Sequence, residues 1–151
     1  MKKTPVSQND FLALDRQFCF ALYSASHALT KTYKPLLDEL GLTYPQYLVM
    51  LVLWKNDGIL VKDIGEALFL DSGTLTPLLK RMEVGEFISR QRDLQDERQV
   101  RIKLTSKGKN LKKDAEKIPQ KILCASGQNP EQLSELRKQL QQLRHVLHAD
   151  D

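Results

Sequence analysis

The sequence predicts a mainly α-helical fold with one small β-hairpin, and three observations support this fold class. Apolar residues recur every three or four positions through most of the chain, which is the spacing of one helix face. Two short alternating segments, 87–90 and 100–104, are typical of strands joined by a polar loop. The length of 151 residues corresponds to about one domain. We therefore expect residues 1–151 to form a single domain.

The first predicted helix lies near the N-terminus. Asn9 or Asp10 can cap it, and its apolar stripe extends to about Thr32. Pro35 is expected to open a separate short helix that Gly41 ends. No apolar stretch of signal-peptide type follows the N-terminal lysines, and no run approaches the roughly 18 residues of a membrane span. We therefore expect a cytoplasmic protein.

The next three elements lead to a pair of short helices joined by a tight turn. Thr43 can cap a helix that is apolar almost all round, which indicates a central position in the domain. After an Asn-Asp-Gly turn signal, residues 61–68 are predicted as a short amphipathic helix. Asp71 or Ser72 can cap the following helix. Gly85 is expected to end it in the left-handed conformation.

The hairpin is followed by two further helical segments. Thr105 can cap a long helix, which Pro119 should kink or interrupt. Residues 125–129 are predicted as a loop, and Pro130 is well placed to begin the last helix. The last helix carries leucines at alternating three- and four-residue steps, like a coiled-coil seam: Leu133, Leu136, Leu140, Leu143 and Leu147.

The order helix, turn, helix and hairpin over residues 57–108 is that of a winged helix-turn-helix, a module that enters DNA grooves. Residues 10–56 and 109–151 are predicted to form a helical dimerisation region, because a narrow leucine stripe suits a partner helix from a second copy. Packing of that stripe on the same chain's first helix is the alternative. A two-fold homodimer would place two such modules on a pseudo-palindromic site.

The second helix of the module and the hairpin carry side chains suited to double-stranded DNA. The helix start offers backbone N–H groups to phosphates, and small hydroxyl side chains let the helix lie deep in the major groove. Basic side chains can pair with phosphates or guanine edges, and an arginine at the hairpin tip can enter a narrow minor groove. The candidate DNA-binding residues are Ser72, Thr74, Thr76, Lys80, Arg81, Arg92 and Arg98. The net charge of +4 mildly favours an anionic partner, while a winged helix used for protein contacts is the alternative.

Several segments resemble a known family. The hairpin sequence from 93 to 108, with Asp96-Glu97-Arg98 followed by Leu-Thr and Gly108, resembles the wing of the MarR family of dimeric bacterial transcription regulators. More narrowly, the chain resembles the OhrR-type organic hydroperoxide sensors of that family in three segments, 18–25, 40–47 and 70–81. The resemblance implies that Asp96 orients the wing and that Arg98 reaches the minor groove.

The chain has two cysteines, Cys19 and Cys124, which are too few for a structural zinc site, so we expect no metal and no cofactor. Taken alone, Cys19 is typical of a buried cysteine that acts as a small hydrophobe. The resemblance implies instead that Cys19 is a peroxide-sensing thiol and that Tyr33 and Tyr44 donate hydrogen bonds to its thiolate. It also implies that Cys124 resolves the sulfenic acid of Cys19 in an intersubunit disulfide, with a small cellular thiol as the alternative.

The resemblance therefore implies a redox-sensing repressor that binds its operator when reduced and is released when organic hydroperoxides oxidise Cys19. One alternative is a MarR-type regulator that is released by reversible binding of a small-molecule ligand. A thiol peroxidase is the alternative from another class, but the sequence has no Cys-x-x-Cys motif and no alternating strand–helix pattern. We expect a regulator and not an enzyme.

Overall fold

The computed structural model describes residues 11–149, and it confirms a mainly helical chain with a small sheet. A short 3-10 helix over Leu14–Arg16 precedes the first α-helix. The α-helices are α1 Phe18–Asp38, α2 Tyr44–Lys55, α3 Val61–Leu68, α4 Ser72–Val84, α5 Ser106–Ala115, α6 Ile118–Ser126 and α7 Pro130–His148. The strands are β1 Ile59–Leu60, β2 Ile88–Arg92 and β3 Val100–Leu104.

Helix α1 differs from the prediction at both ends. It begins at Phe18, after the N-cap residue Gln17, and the predicted caps Asn9 and Asp10 lie outside the described residues. Its end is also not where we expected, because α1 continues through Pro35 instead of stopping near Thr32. Proline removes one N–H from a helix but keeps a helical φ angle. Burial of the neighbouring Leu37, which is 1% exposed, holds this last turn against the core.

Helix α2 forms the centre of the domain, as its apolar sequence predicts. The side chain of Thr43 accepts a hydrogen bond from the Gln46 backbone N–H, and the Gln46 side chain accepts one from the Thr43 N–H. This capping box fixes the start of the helix. Side chains on several faces of α2 are buried, namely Tyr47, Val49, Met50 and Leu53.

Helices α3 and α4 form the predicted helix-turn-helix. Asp71 caps α4, and its Oδ1 accepts a hydrogen bond from the Thr74 backbone N–H at 2.7 Å. The inner faces of the two helices meet in the core, where Ile64, Leu75, Leu79 and Met82 are almost completely buried. The bounds of α3 are those predicted from the sequence.

The end of α4 corrects the prediction for Gly85. Gly85 has φ −73°, which is right-handed, and Glu86 takes the left-handed conformation with φ +62°. Glycine is required at position 85 for a different reason, since a Cβ there would lie 2.9 Å from the ring of Phe87. The close packing of that ring against the chain reversal therefore selects glycine.

The sheet has three antiparallel strands in the order β1-β3-β2. Strands β2 and β3 form the predicted hairpin, which we call the wing, and Arg90 pairs with Ile102 in its register. Strand β1 was not predicted, because two residues are too short for an alternating pattern. It joins the sheet through the pairs Ile59–Ile102 and Leu60–Arg101, and so ties the wing to the start of α3.

The C-terminal third contains three helices. Thr105 caps α5 through a hydrogen bond from the Gly108 N–H at 3.1 Å. Pro119 lies in the first turn of α6, so the predicted interruption is a break between α5 and α6. Helix α6 extends to Ser126, two residues into the predicted loop, and Asn129 caps α7 with a capping box.

The core lies between the helix-turn-helix, α2 and the sheet. Among the described residues, the buried apolar side chains fall between Leu37 and Ile118, and α7 has none. The indole N–H of Trp54 in α2 donates to the carbonyl oxygen of Gly108 at 2.9 Å, which links the central helix to the segment after the wing. Within residues 11–149, no helix has the length and apolar character needed to cross a membrane.

Candidate functional site

The outer face of α4 presents the polar side chains that the sequence singles out. Ser72, Thr74, Lys80 and Arg81 are exposed, and Thr76 is half-buried. The first turn of α4 has Asp71 as its cap, and the hydrogen bond from the Thr74 N–H holds the pKa of that carboxyl below its ordinary value. The structure therefore gives α4 an ordered, solvent-facing start with hydroxyl and basic groups along one side.

An ion pair that the sequence analysis missed holds the wing. Arg101 donates to Asp93 Oδ1 through Nη2 at 2.8 Å, and the Asp93 side chain is largely covered. This hydrogen bond lowers the pKa of Asp93, and Arg101 also donates to the Gly58 carbonyl oxygen. Arg101 thereby fastens the base of the wing to the turn before β1.

Asp96 and Arg98 lie together at the wing tip. Asp96 Oδ1 accepts hydrogen bonds from both the backbone N–H and the Nε of Arg98, each at 3.1 Å. The hydrogen bond from the Arg98 side chain holds the pKa of Asp96 below its ordinary value. The Arg98 side chain is nevertheless 91% exposed, so Asp96 directs it without covering it. Arg92, at the end of β2, is also exposed.

A cleft of about 1040 Å³, which we call the α4–wing cleft, separates the helix-turn-helix from the wing. Ser72 and Thr76 line it from α4, and Arg98 lines it from the wing. Arg90 also lines this cleft, although the sequence analysis did not include it among the candidate residues. Its position in a regular strand gives no local signal of function, and only the packing of α4 against the sheet reveals it.

Cys19 is the second residue of α1 and is exposed. The expectation of a buried cysteine is therefore wrong for the single chain, because the first half of α1 packs against little of the same chain. Apolar side chains around Cys19 are also exposed, including Phe18, Phe20, Leu22 and Tyr23.

Tyr33 and Tyr44 lie against one another, with ring centroids 4.8 Å apart, and Tyr47 extends the cluster. Burial raises the pKa of Tyr33 to about 12, with further contributions from Tyr44 and Tyr47. Burial also raises the pKa of Tyr44. The phenols therefore keep their protons and can act as hydrogen-bond donors at neutral pH.

The structure does not bring the two tyrosines to Cys19 of the same chain. Cys19 and Tyr33 belong to the same helix. Fourteen residues of helical rise place them about 21 Å apart along the axis. A side chain cannot cross this distance. Contact between Cys19 and the tyrosine pair therefore requires a second copy of the chain.

Cys124 is exposed on α6, and Cys19 and Cys124 are both free thiols. The Gln120 Nε2 lies 3.8 Å from the Cys124 Sγ as a long hydrogen bond. Helix α6 packs against α1, so both cysteines belong to connected elements. Over residues 11–149, no group of three or more His, Cys, Asp or Glu side chains is placed to hold a metal ion.

The chain matches a protein-family model and a curated relative. The model for the transcriptional regulator SarA/Rot matches residues 31–115. The organic hydroperoxide resistance transcriptional regulator of Bacillus subtilis (strain 168) is 51% identical over 139 residues, which cover 92% of this chain and 95% of the relative. Both matches extend through the helix-turn-helix and the wing.

Solved structures of the AbfR regulator, which is a protein of Staphylococcus epidermidis, share this architecture. Reduced AbfR bound to DNA is 32% identical with a TM-score of 0.73, covering 92% of this chain and 97% of that chain. Disulfide-formed AbfR is 34% identical with a TM-score of 0.60, covering 90% and 96%. The relatives are transcriptional regulators and not enzymes. The chain belongs to the MarR family of transcriptional regulators and, within that family, to the OhrR-type regulators.

Proposed function

We propose that this protein is a redox-sensing, DNA-binding repressor that releases its operator when an organic hydroperoxide oxidises Cys19. The observation that carries the proposal is the position of Cys19, an exposed thiol in the first turn of α1 among exposed apolar side chains. The 51% identity to an organic hydroperoxide resistance regulator supports the same chemistry. A small hydrophilic oxidant gains little from such apolar surroundings, whereas an organic hydroperoxide does.

The DNA-binding part of the proposal rests on α4 and the wing. Helix α4 enters the major groove, with Ser72, Thr74 and Thr76 close to the bases or phosphates and Lys80 and Arg81 on its basic side. Their exposure, apart from the half-buried Thr76, supports these roles. At the wing, Arg92 contacts the backbone, and Arg98 enters the minor groove while Asp96 orients it.

The proposed active form is a homodimer built from residues 10–56 and 109–151. Large apolar side chains of α1 and α7 are exposed in the single chain, including Leu22, Leu29, Leu136, Leu140 and Leu147. Exposed apolar side chains in such number mark surfaces that bind a partner. A two-fold axis then repeats α4 and the wing for the two halves of a pseudo-palindromic operator.

In the dimer, Tyr33 and Tyr44 of one protomer complete the thiol site of the other. The separation of about 21 Å along α1 excludes Tyr33 of the same chain. The proposed arrangement requires two α1 helices that pack in opposite directions, since the start of one helix then lies near the end of the other. The protonated phenols then donate hydrogen bonds to the sulfur and stabilise its charged form.

The chemistry needs two steps and no cofactor. The Cys19 thiolate attacks the terminal oxygen of the hydroperoxide, the O–O bond breaks, and the alcohol leaves after taking up a proton. The sulfenic acid formed on Cys19 is then attacked by the Cys124 thiol of the other subunit, which forms the S–S bond and releases water. Together the two thiols lose two electrons, and the hydroperoxide gains them and is reduced to alcohol and water.

The disulfide acts on DNA binding through the spacing of the two α4 helices. Cys19 and Cys124 lie on helices of the proposed dimerisation region, so a bond between them in different subunits shifts that region. The recognition helices must remain about one turn of DNA apart to reach both half-sites. A shift between rigid bodies is sufficient to break this match.

The test is non-reducing electrophoresis combined with DNA binding. After treatment with cumene hydroperoxide, we expect a covalent dimer in the wild type and none in Cys19→Ser or Cys124→Ser. Reduced wild type should bind a duplex from upstream of its own gene, and oxidation should release it. Cys19→Ser should bind that duplex with or without peroxide. A covalent dimer that persists in Cys19→Ser would contradict the roles given to the two cysteines.

A reversible ligand is the second candidate for the signal. A groove of about 380 Å³ between α2 and the α5–α6 junction is lined by Tyr47, Trp54, Lys112 and Pro119, and it can receive a small apolar molecule. In that case DNA release would not depend on either cysteine. A variant that lacks both thiols and still releases DNA on addition of a small molecule would favour this mechanism over the thiol switch.

A further inference from the structure

The inner face of the wing carries an unexpected charge. Ile88 and Arg90 alternate along β2, and their partners Leu104 and Ile102 in β3 are both buried. Because alternate residues of a strand share a face, Arg90 lies on the side of the sheet that packs towards the helices. An apolar residue is the usual choice at such a position, so Arg90 needs a separate explanation.

Arg90 also has no partner within residues 11–149. Its Nε is buried and makes no hydrogen bond, and its guanidinium makes no ion pair. Two other arginines of the wing differ from Arg90, because Arg98 is paired with Asp96 and Arg101 with Asp93. A half-buried, unpaired guanidinium destabilises the folded chain unless an anion approaches it.

The α4–wing cleft is the opening through which an anion can reach Arg90. Ser72 and Thr76 line the opposite wall, so hydroxyl donors face the same space. The carboxylates of Glu66 and Asp71 also line the cleft, but neither lies within ion-pair distance of Arg90. Asp71 is engaged at the start of α4, where it accepts the hydrogen bond from the Thr74 N–H.

The shape of DNA identifies the anion. A protein with one element in the major groove and its neighbour in the adjacent minor groove straddles the phosphate backbone that divides the two grooves. The cleft between α4 and the wing then faces that backbone. We propose that Arg90 binds the backbone phosphate that passes between the recognition helix and the wing. This inference rests on the proposed function, because it assumes that α4 and the wing enter adjacent grooves.

The test compares Arg90→Met with Lys103→Met. Lys103 is exposed on the opposite face of the same sheet, so its variant removes an equal charge away from the cleft. Binding to the duplex from upstream of the gene is followed by fluorescence anisotropy over a range of salt concentrations. For Arg90→Met we expect at least about tenfold weaker binding, and a salt slope smaller by about 2 for a dimer that loses two phosphate contacts. Lys103→Met should keep the wild-type slope.

Thermal unfolding separates this role from a structural one. Arg90→Met should unfold at the wild-type temperature or above, because the substitution removes an unpaired charge. Arg90→Lys should keep the salt slope, since a lysine still supplies a point charge. Wild-type affinity and slope in Arg90→Met would overturn the inference, as would weaker binding that is explained by a lower unfolding temperature. Failure of the wild type itself to bind the duplex would instead refute the proposed function.

Discussion

The winged helix-turn-helix and the terminal helices differ in how far a single chain completes them. Buried side chains of α3, α4, β2 and β3 form a closed core with α2. By contrast, α7 has no buried residue, and the first half of α1 exposes its apolar face. The difference teaches that one chain suffices to build the proposed DNA-reading surface, whereas the proposed sensor needs two.

The two regions also differ in where their polar groups find partners. In the wing, Asp93, Asp96, Arg98 and Arg101 find their partners within the same hairpin. Cys19, on the open side, has its proposed donors Tyr33 and Tyr44 only in a second protomer. In the proposed mechanism, oxidation of Cys19 therefore acts at the interface between subunits and leaves each proposed DNA-reading surface unchanged. Four experiments test this difference between the two regions.

The largest effect is expected on the stability of the dimer, through the exposed leucine stripe of α7. Leu140 lies in the leucine stripe of α7 and is 39% exposed in the single chain. Leu140→Glu should weaken the dimer roughly 10²- to 10⁴-fold, because burial of one leucine contributes about 1.5–3 kcal/mol and a two-fold interface contains two copies. Light scattering after size-exclusion chromatography measures this. Gln142→Glu adds the same charge on another face of α7 and should remain dimeric. If Leu140→Glu is also dimeric, the stripe is not the interface.

In the winged helix-turn-helix, a substitution that disturbs the core should lower the free energy of unfolding. A Cβ at Gly108 would overlap the carbonyl oxygen of Phe87, so Gly108→Ala must displace backbone. We expect roughly 3 kcal/mol or more of lost stability, as for other steric conflicts in a core. Gly73→Ala is the control, since its Cβ would lie 3.3 Å from a single side-chain oxygen. That variant should stay within about 1 kcal/mol of the wild type in urea unfolding. Equal stability of the two variants would refute the tight closure at Gly108.

The tyrosine pair tests whether the sensor is shared between subunits. Tyr33→Phe removes one proposed hydrogen bond to the charged sulfur, worth about 1.5 kcal/mol, and should slow oxidation by cumene hydroperoxide about tenfold. Stopped-flow measurement of thiol loss gives the rate. Tyr47→Phe is the matched control, because Tyr47 belongs to the same aromatic cluster but is only 3% exposed and is not one of the proposed donors. A rate in Tyr33→Phe equal to that of the control would remove Tyr33 from the sensor.

The smallest effect is expected in the pH dependence of folding stability, through the phenol of Tyr33. Burial raises the pKa of Tyr33 from about 10 to about 12, so the folded chain keeps a proton that the unfolded chain loses in this window. The corresponding stability is fully present below about pH 10 and is lost as the pH rises towards about 12. Tyr33→Phe should lose less stability than the wild type between about pH 10 and about pH 12. The midpoints of urea unfolding, measured across this pH range, test the difference. Parallel pH profiles for the two proteins would contradict the burial of Tyr33.

The elements that local rules govern were predictable from the sequence. Thr43, Asp71, Thr105 and Asn129 are N-caps whose side chains accept hydrogen bonds from the following turn, so their positions are encoded within four residues. The hairpin follows from its alternation in the same way. The resemblance pointed to Cys19, Tyr33, Tyr44 and Cys124 by motif and implied that Cys124 acts from the other subunit, but it did not indicate which subunit supplies the two tyrosines.

Local signals could not predict the features that depend on distant contacts. Strand β1 exists because β3 offers it an edge, and glycine is needed at position 85 because the Phe87 ring lies where a Cβ would be. From the sequence alone, Arg90 is expected to be an ordinary surface residue. The register of β2 and β3 shows that it lies on the inner face of the sheet.

The amino-acid sequence was enough to indicate the family, the N-caps of α2, α4 and α5, and the order of the helices and the wing, because periodicity and capping act over a few residues. The folded chain was needed to show that Cys19 and Tyr33 are too far apart within one chain and that Arg90 faces the α4–wing cleft. The first fact depends on α1 continuing unbroken from Phe18 past Tyr33, and the second depends on packing between elements; no short stretch of sequence contains either.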